Sequence, residues 1–364
     1  MLNICIVAGA RPNFIKVAPI IHAIREAKKE RKEVSYTLVY TGREDDETLE
    51  PSLFEDLQIE RPQIFLEIDS VSLNELTGRV MWAFEQYLNK NTTDVVIVVD
   101  DLASTMATAI VAKKHGVRLA HLVAGTRSFD INMPKEINRL VIDGLSDILF
   151  TAGTTSSSTA MRGGAEMSKI YMVGNILLDT LRNNRSRLKR PACLSGIEDR
   201  EYIVFTLNRK KLIDDGKALE KKIRAIMENA GNMPVFAPLR EKAKEALGHL
   251  SAEFPTLHII EPLGYLEFSY LTANACGVIT DSGNIAEETT FNNIPCITLN
   301  NYTEHIETVT IGTNVLVGED TELLASYVAD MVNKKWKEGT LPDRWDGRSA
   351  NRILQILFET QENG

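Results

Sequence analysis

Short runs of β-branched and other apolar residues recur along the chain, separated by stretches with helical spacing. The first series is Asn3 to Gly9, Ser35 to Gly42, Asp94 to Asp101, Arg118 to Gly125, Asp147 to Gly153 and Lys169 to Asn175. A second series follows at Tyr202 to Asn208, Met233 to Leu239, Thr256 to Leu263, Cys276 to Gly283, Pro295 to Asn301 and Thr313 to Gly318. Each run is apolar nearly throughout, without alternation, which predicts parallel strands covered on both faces by helices. Strand and helix in turn is βαβ arithmetic, so the chain reads as α/β with two doubly wound domains.

Helix starts carry local signals. Pro12 lies just inside the first helix, Ser72 and Glu75 have capping-box spacing, and Pro134 precedes Ile137, Leu140 and Val141. Asn183 to Arg200 is rich in Arg, Lys and Pro and is predicted as the linker. It separates an N-terminal domain over 1–182 from a C-terminal domain over 200–349. Ile353, Leu354, Leu357 and Phe358 share one helical face, so the end of the chain, 350–364, is predicted to dock on a domain surface.

At 364 residues, 44% hydrophobic and 25% charged, the chain is neither a disulfide-stapled miniprotein nor a disordered one. Lys plus Arg number 41 against 50 Asp plus Glu, and the net charge of −9 has the wrong sign for unspecific binding of nucleic acid. An anionic ligand must therefore meet local donors. Cys5, Cys193, Cys276 and Cys296 are far apart and form neither a CxxC pair nor a zinc knuckle, which suits thiols in a reducing cytosol. The first residues lack a basic flank, and no run reaches the 18 or so apolar residues of a membrane span. The expectation is a cytoplasmic protein without membrane or nucleic-acid partners.

Residues just beyond strand ends are those to read for chemistry. At Gly9-Ala10-Arg11-Pro12 a strand runs into a glycine turn and a helix, with Arg11 at the mouth and Lys16 a turn inside. It has neither the GxGxxG spacing of a dinucleotide site nor that of a P-loop, and a plain βα turn with surface cations is the alternative. At Asp281-Ser282-Gly283-Asn284 a helix N-terminus would offer N–H groups and a hydroxyl to a diphosphate. Glu287 or Glu288 would accept from ribose hydroxyls; otherwise Asp281 is an N-cap and the glutamates are dipole partners.

Acid and base candidates gather between Asp94 and Arg139. Asp100 and Asp101 end a strand, where adjacent side chains point to opposite faces, so at most one is expected to face a cleft. His121 shares a strand face with Val123 and Gly125, and Arg127 follows; a core histidine is the bland reading. Glu136, Asn138 and Arg139 lie in the first turns of the Pro134 helix.

These corners, in order and over nearly the whole chain, resemble the non-hydrolysing UDP-N-acetylglucosamine 2-epimerase family. Its GTRPE-x-IK-x-AP resembles Gly9-Ala10-Arg11-Pro12-Asn13-Phe14-Ile15-Lys16-Val17-Ala18-Pro19. Its HGDT-x-ST resembles Val99 to Thr105, its H-x-EAG-x-RS resembles His121 to Ser128, and its SFD…MPEEINR resembles Ser128-Phe129-Asp130 with Met133 to Arg139. VGN…D matches Val173-Gly174-Asn175 with Asp179, EPL-x-Y-x-x-F matches Glu261 to Tyr265 with Phe268, and DSGG-x-x-EE matches Asp281 to Asn284 with Glu287 and Glu288. The resemblance implies two Rossmann-like domains facing a cleft, of the glycosyltransferase-B type, with the C-terminal helix returning to the first domain. It implies a UDP-2-acetamido sugar as substrate, inversion at C2 by elimination and re-addition of UDP, no added cofactor, and a homodimer. Carried over, Arg11, Ser282, Gly283 and Glu288 would hold UDP with Phe268 near the uracil, and Lys16 and Asp101 would sit at the sugar. Arg127 and Asn208 complete the expected substrate-binding set.

Three positions depart from the family. Its EAG glutamate is Val123, the first PEE glutamate is Lys135, and the histidine of T-x-HRRE is Asn208 in Thr206-Leu207-Asn208-Arg209-Lys210-Lys211. Valine cannot exchange a proton, lysine reverses the charge, and asparagine cannot become a cation. Glu136, Asp100, Asp130 and His121 are the available substitutes, and the expected catalytic set is Asp101, Glu136 and Lys16. Arg43, Asp46 and Arg240 likewise alter the family's regulatory site. An epimerase with a substitute acid, a UDP-sugar-binding pseudoenzyme, and a glycosyltransferase are the three readings these residues leave.

Overall fold

Burial on both faces is what the continuous apolar runs demand, and parallel sheets result. A computed structural model gives the structure of residues 1–362. The first sheet holds β1 (Leu2–Ala8), β2 (Val34–Tyr40), β3 (Ile64–Phe65), β4 (Val95–Val99), β5 (Arg118–Ala124), β6 (Ile148–Thr151) and β7 (Ile170–Met172). Their order is β3-β2-β1-β4-β5-β6-β7, and every pairing is parallel. The second sheet holds β8 (Ile203–Phe205), β9 (Val235–Pro238), β10 (Leu257–Ile260), β11 (Gly277–Thr280), β12 (Cys296–Thr298) and β13 (Asn314–Leu316), in the order β10-β9-β8-β11-β12-β13.

Twelve of these strands overlap the apolar runs read from the sequence. The thirteenth, β3, is two residues long and pairs only with Val39 and Tyr40 at the sheet edge, too short to register as a run. The runs overreach at their carboxyl ends: Asp100, Asp101, Asp281 and Ser282 lie outside the strands, in the loops that follow.

The chain forms two compact units. The first combines Met1–Asn183 with the segment from Asp343 onward, and the second is Asn184–Pro342. The stretch read as a linker is thus partly built into the second unit, where Leu194 is buried and Arg190 reaches Asp199, Tyr270 and two backbone carbonyls. Residues 343–349 join the first unit because Trp345 is buried there and donates Nε1–H to the Ala152 carbonyl (3.1 Å).

The C-terminal helix Ser349–Glu362 packs on the helix Arg11–Lys29 within the first unit. Ile353, Leu354 and Leu357 are buried, each worth about 1.5–3 kcal/mol, and Phe358 lies under the Lys32 ammonium. Asp179 Oδ2 accepts the Ala350 N–H (2.8 Å) at its N-terminus. Positions 363 and 364, included in the sequence-based expectation, lie outside the described residues. No helix among the described residues is long and apolar enough to cross a membrane.

In the second unit, Ile203, Phe205, Ile279 and Ile297 pack against helices Gly216–Ala230 and Thr321–Val332, and Tyr202, Val204 and Val278 pack on the other face. This two-sided cover leaves only the strand ends open to chemistry.

Candidate functional site

A doubly wound sheet opens a crevice where its strand order reverses. The reversal lies between β1 and β4 in the first unit and between β8 and β11 in the second. The corners singled out in the sequence sit at these two places.

In the first unit β1 ends at Ala8, and Gly9 lets the chain pass Ser104, whose Oγ would lie 2.3 Å from a Cβ at this position. Asn13 folds back so that its Oδ1 accepts the Gly9 and Ala10 N–H groups (2.9 and 3.1 Å). Those donors fix the amide, and its Nδ2 then donates to Asp100 Oδ2 (2.8 Å). Lys16 Nζ meets the other oxygen, Asp100 Oδ1, at 2.6 Å. Arg11 is partly exposed, with Glu50 3.8 Å away.

Asp100 follows β4 with φ +57°, a left-handed conformation uncommon outside glycine. Its N–H donates to the Leu122 carbonyl (3.3 Å), and its carbonyl accepts from His121 Nε2 (2.9 Å). The neighbouring aspartates part company as the strand alternation predicts. Asp100 turns to the helix Arg11–Lys29 and Asp101 to the helix Pro134–Leu145. Asp101 Oδ2 takes Arg139 Nη2 (2.6 Å) and Nε (2.9 Å), and Oδ1 lies 3.2 Å from Lys135 Nζ. Burial pushes the Asp101 carboxyl up, but the charges of Lys135 and Arg139 outweigh it and hold the group below the usual carboxylate range.

The helix Pro134–Leu145 buries an unusual share of polar side chains, although Ile142 also reaches the core. Glu136, Asn138, Arg139 and Asp143 are buried, whereas Ile137 and Leu140 are 47% and 44% exposed. Its polar face supports the strand ends. Asp143 accepts from His121 Nδ1 (2.6 Å), the Gly125 N–H (3.1 Å) and Arg127 Nη1 (2.6 Å). Burial raises the Asp143 carboxyl, and His121 and Arg127 more than offset this. Glu136 Oε2 accepts the Ser128 N–H and Oγ–H (both 2.8 Å) and Arg139 Nη1 (3.3 Å); against the cost of burial, those donors hold it low. His121 therefore has both ring nitrogens engaged, one by a carbonyl that can only accept, and the guanidinium of Arg127 is spent on Asp143 and the Thr126 carbonyl.

Val123 occupies a bulge. The β5–β6 register shifts between Leu122 and Ala124, and Val123 has φ +69°, an outlier for a β-branched residue.

Beside Gly9 a cavity of about 430 Å³ opens toward Tyr40, Thr41, Arg43 and Asp46. Arg43 there pairs with Asp45, and Asp46 takes the Tyr40 hydroxyl (2.6 Å) and Thr48, so the polar groups answer one another.

In the second unit Asp281 ties the two central strand ends together. Its Oδ2 accepts the Asn208 and Arg209 N–H groups (2.8 and 2.6 Å), while Oδ1 is buried with no hydrogen-bond partner. Asp281 is not the N-cap that the bland reading made it. Ser282 is, without a side-chain hydrogen bond, and the helix Gly283–Asn292 starts there. Glu287 lies 3.6 Å from His305 Nε2. Burial beside Glu287 pushes the Glu288 carboxyl up to about 8, so it carries a proton at neutral pH and can donate. Phe268 lies on the helix Tyr265–Ala273 and packs against the apolar cluster beneath it. Asn208 is exposed.

Arg209 is an addition of the structure. Nε donates to the Asp281 carbonyl (3.2 Å), Nη1 to the Tyr302 hydroxyl (2.9 Å), and the guanidinium stacks 5.2 Å from the Tyr302 ring centre. A cation shortly after a central strand, matching an arginine of the T-x-HRRE motif, was its visible signal; Tyr302, far along the chain, had none.

The first unit thus gathers Arg11, Lys16, Asp101, Arg127 and Glu136 around three strand ends, and the second gathers Asn208, Ser282, Gly283 and Glu288 around two. The sequence profile of UDP-N-acetylglucosamine 2-epimerase matches residues 26–358. A UDP-N-acetylglucosamine 2-epimerase of Methanocaldococcus jannaschii is 35% identical, over 98% of this chain and 99% of its own. A UDP-2,3-diacetamido-2,3-dideoxy-D-glucuronate 2-epimerase of Pseudomonas aeruginosa is 32% identical, over 98% and 99%. The crystal structure of the M. jannaschii enzyme with UDP-GlcNAc and UDP has a TM-score of 0.84 at 33% identity, covering 98% of this chain and 100% of that one. Strand order, corner residues and these likenesses agree: the chain belongs to the UDP-N-acetylglucosamine 2-epimerase family, with that family's glycosyltransferase-B type of fold.

Proposed function

We propose that this protein interconverts the C2 epimers of a UDP-2-acetamido sugar by eliminating UDP and adding it back. Such a reaction needs a base for the C2 proton, an acid for the opposite face, and donors that stabilise UDP as a leaving group. The observation that carries the reading is Asp101: a carboxylate at the first unit's strand reversal, kept ionised by Arg139 and Lys135 and so equipped to accept a proton.

Lys16 and Arg11 supply positive charge at the same strand ends. Ser282 and Gly283, at the start of a ten-residue helix, suit a diphosphate, and protonated Glu288 suits a ribose hydroxyl. Glu136 and Arg127 hold the strand-end loops through Ser128 and Asp143, which makes them positioning residues in place of the acid and the ligand contact expected of them. The exposed Ile137 and Leu140 favour a homodimer built on that helix face. A cytoplasmic role in supplying sugar precursors for polysaccharides completes the reading.

The alternative, binding without turnover, would need Val123 and the Lys135 ammonium beside Asp101 to abolish proton transfer, and the likeness to UDP-sugar 2-epimerases does not favour it. Incubation with UDP-N-acetylglucosamine in deuterated water, followed by NMR at C2, separates the two. Deuterium at C2 with appearance of the manno isomer is the expected result. UDP binding with no exchange for any UDP-2-acetamido sugar refutes turnover.

A further inference from the structure

Inversion at C2 requires proton transfer on both faces of one carbon, and Asp101 serves one. Four carboxylates cluster at the first unit's strand ends: Asp100, Asp101, Glu136 and Asp143. Glu136 and Asp143 are 4% and 5% exposed, and three donors answer each. Asp100 is the most open of the four at 18%. It lies one residue from Asp101 and points to the other side of β4.

The surroundings of Asp100 are built, not incidental. Left-handed backbone at a non-glycine residue costs about 1–3 kcal/mol and persists where neighbours over-determine it. Here β5 grips both sides of the residue, through the Leu122 carbonyl and His121 Nε2, and Asp143 fixes His121 from behind. Asn13, itself pinned by two backbone N–H groups, holds one carboxylate oxygen, and Lys16 Nζ delivers a proton-bearing nitrogen to the other at 2.6 Å.

We propose that Asp100, coupled to Lys16, is the second proton-transfer group of this enzyme and does the work that Val123 cannot. The inference rests on the epimerase reading above. In one direction Asp101 takes the C2 proton as the C1–O bond to UDP breaks and the C1=C2 bond forms. Asp100, having received a proton from the Lys16 ammonium, gives it to C2 from the opposite face while the UDP oxygen re-forms its bond to C1. One proton is gained by Asp101 and one lost by the couple, and exchange with water restores both.

The test uses Asp100→Gly, since glycine suits the left-handed backbone and removes only the carboxylate. UDP-N-acetylglucosamine and UDP-N-acetylmannosamine are each incubated with wild-type protein and variant in deuterated water. Inversion is expected to fall roughly 10²- to 10⁴-fold, while deuterium still enters C2 of one epimer with retention, through Asp101. Asp100→Glu should recover part of the inversion. Undiminished inversion, or inversion and retentive exchange falling in equal proportion, overturns the role of Asp100. Wild-type protein that exchanges no UDP-2-acetamido sugar overturns the epimerase reading itself, a different failure.

Discussion

Lys135 Nζ stands 3.2 Å from Asp101 Oδ1, and Arg139 Nη2 stands 2.6 Å from Oδ2. A base flanked by two cations stays ionised to lower pH but binds a proton less avidly.

Replacing Lys135 by Met removes the outer cation and keeps the stem. The Asp101 carboxyl then rises toward its ordinary range, and the acid limb of the pH profile of kcat/KM moves to higher pH. The wild-type limb lies below the range of an unperturbed aspartate because the folded group is depressed and protonates only as pH falls. An acid limb that stays in place in the variant would separate Lys135 from the base.

Asp101→Asn keeps the shape and a hydrogen-bonding oxygen for Arg139 but cannot accept a proton. Exchange at C2 is expected to drop at least about 10²-fold, with UDP affinity by calorimetry nearly unchanged. Full turnover would remove Asp101 from the mechanism.

Glu288 is displaced the opposite way. Its folded value is raised to about 8 from the ordinary 4.5, so the native state favours the proton and loses stability as pH climbs through that interval. If Glu288 meets the ribose as proposed, UDP affinity should be level near neutrality and weaken as pH rises through about 8, because the proposed donor becomes a buried anion. Glu288→Gln should flatten the dependence, and calorimetric titrations at pH 6.5 to 9 (about) would show it.

The exposed face of helix Pro134–Leu145 gives a test of assembly. Ile137→Lys with Leu140→Lys alters only outward-facing side chains, so thermal stability at low protein concentration should change little. Light scattering should report a dimer for the wild type and a monomer for the variant. A wild-type monomer would refute the proposed homodimer.

Gly125 illustrates a position with no latitude. It has φ +75°, and a Cβ would lie 2.1 Å from the Ser156 carbonyl oxygen. Gly125→Ala should destabilise the fold by about 2 kcal/mol or more, from left-handed strain and a backbone clash together. Urea titration measures it, and an unchanged midpoint would contradict the packing described.

The candidate site was legible in unequal parts. Glycine turns, Pro12 and the acidic strand ends mark the corners locally, which is why Asp101, Lys16, Ser282 and Gly283 could be proposed from the sequence. The environments were not legible. The sequence offers Arg127 as a ligand contact and Glu136 as a catalytic acid, and each is buried against partners that only the fold supplies. Tyr302 meets Arg209 across a long stretch of chain, and no local pattern announces that pair.

By itself the sequence determined two parallel sheets, since unbroken apolar runs can be buried only when helices cover both faces, and it determined where each strand gives way to polar chemistry. Tertiary structure decided which of those polar groups are committed to one another. A carboxylate's charge and availability depend on the few ångströms around it, and those neighbours come from segments that the chain order keeps apart. His121 holding the Asp100 carbonyl while Lys16 holds its carboxylate is a relationship of that kind.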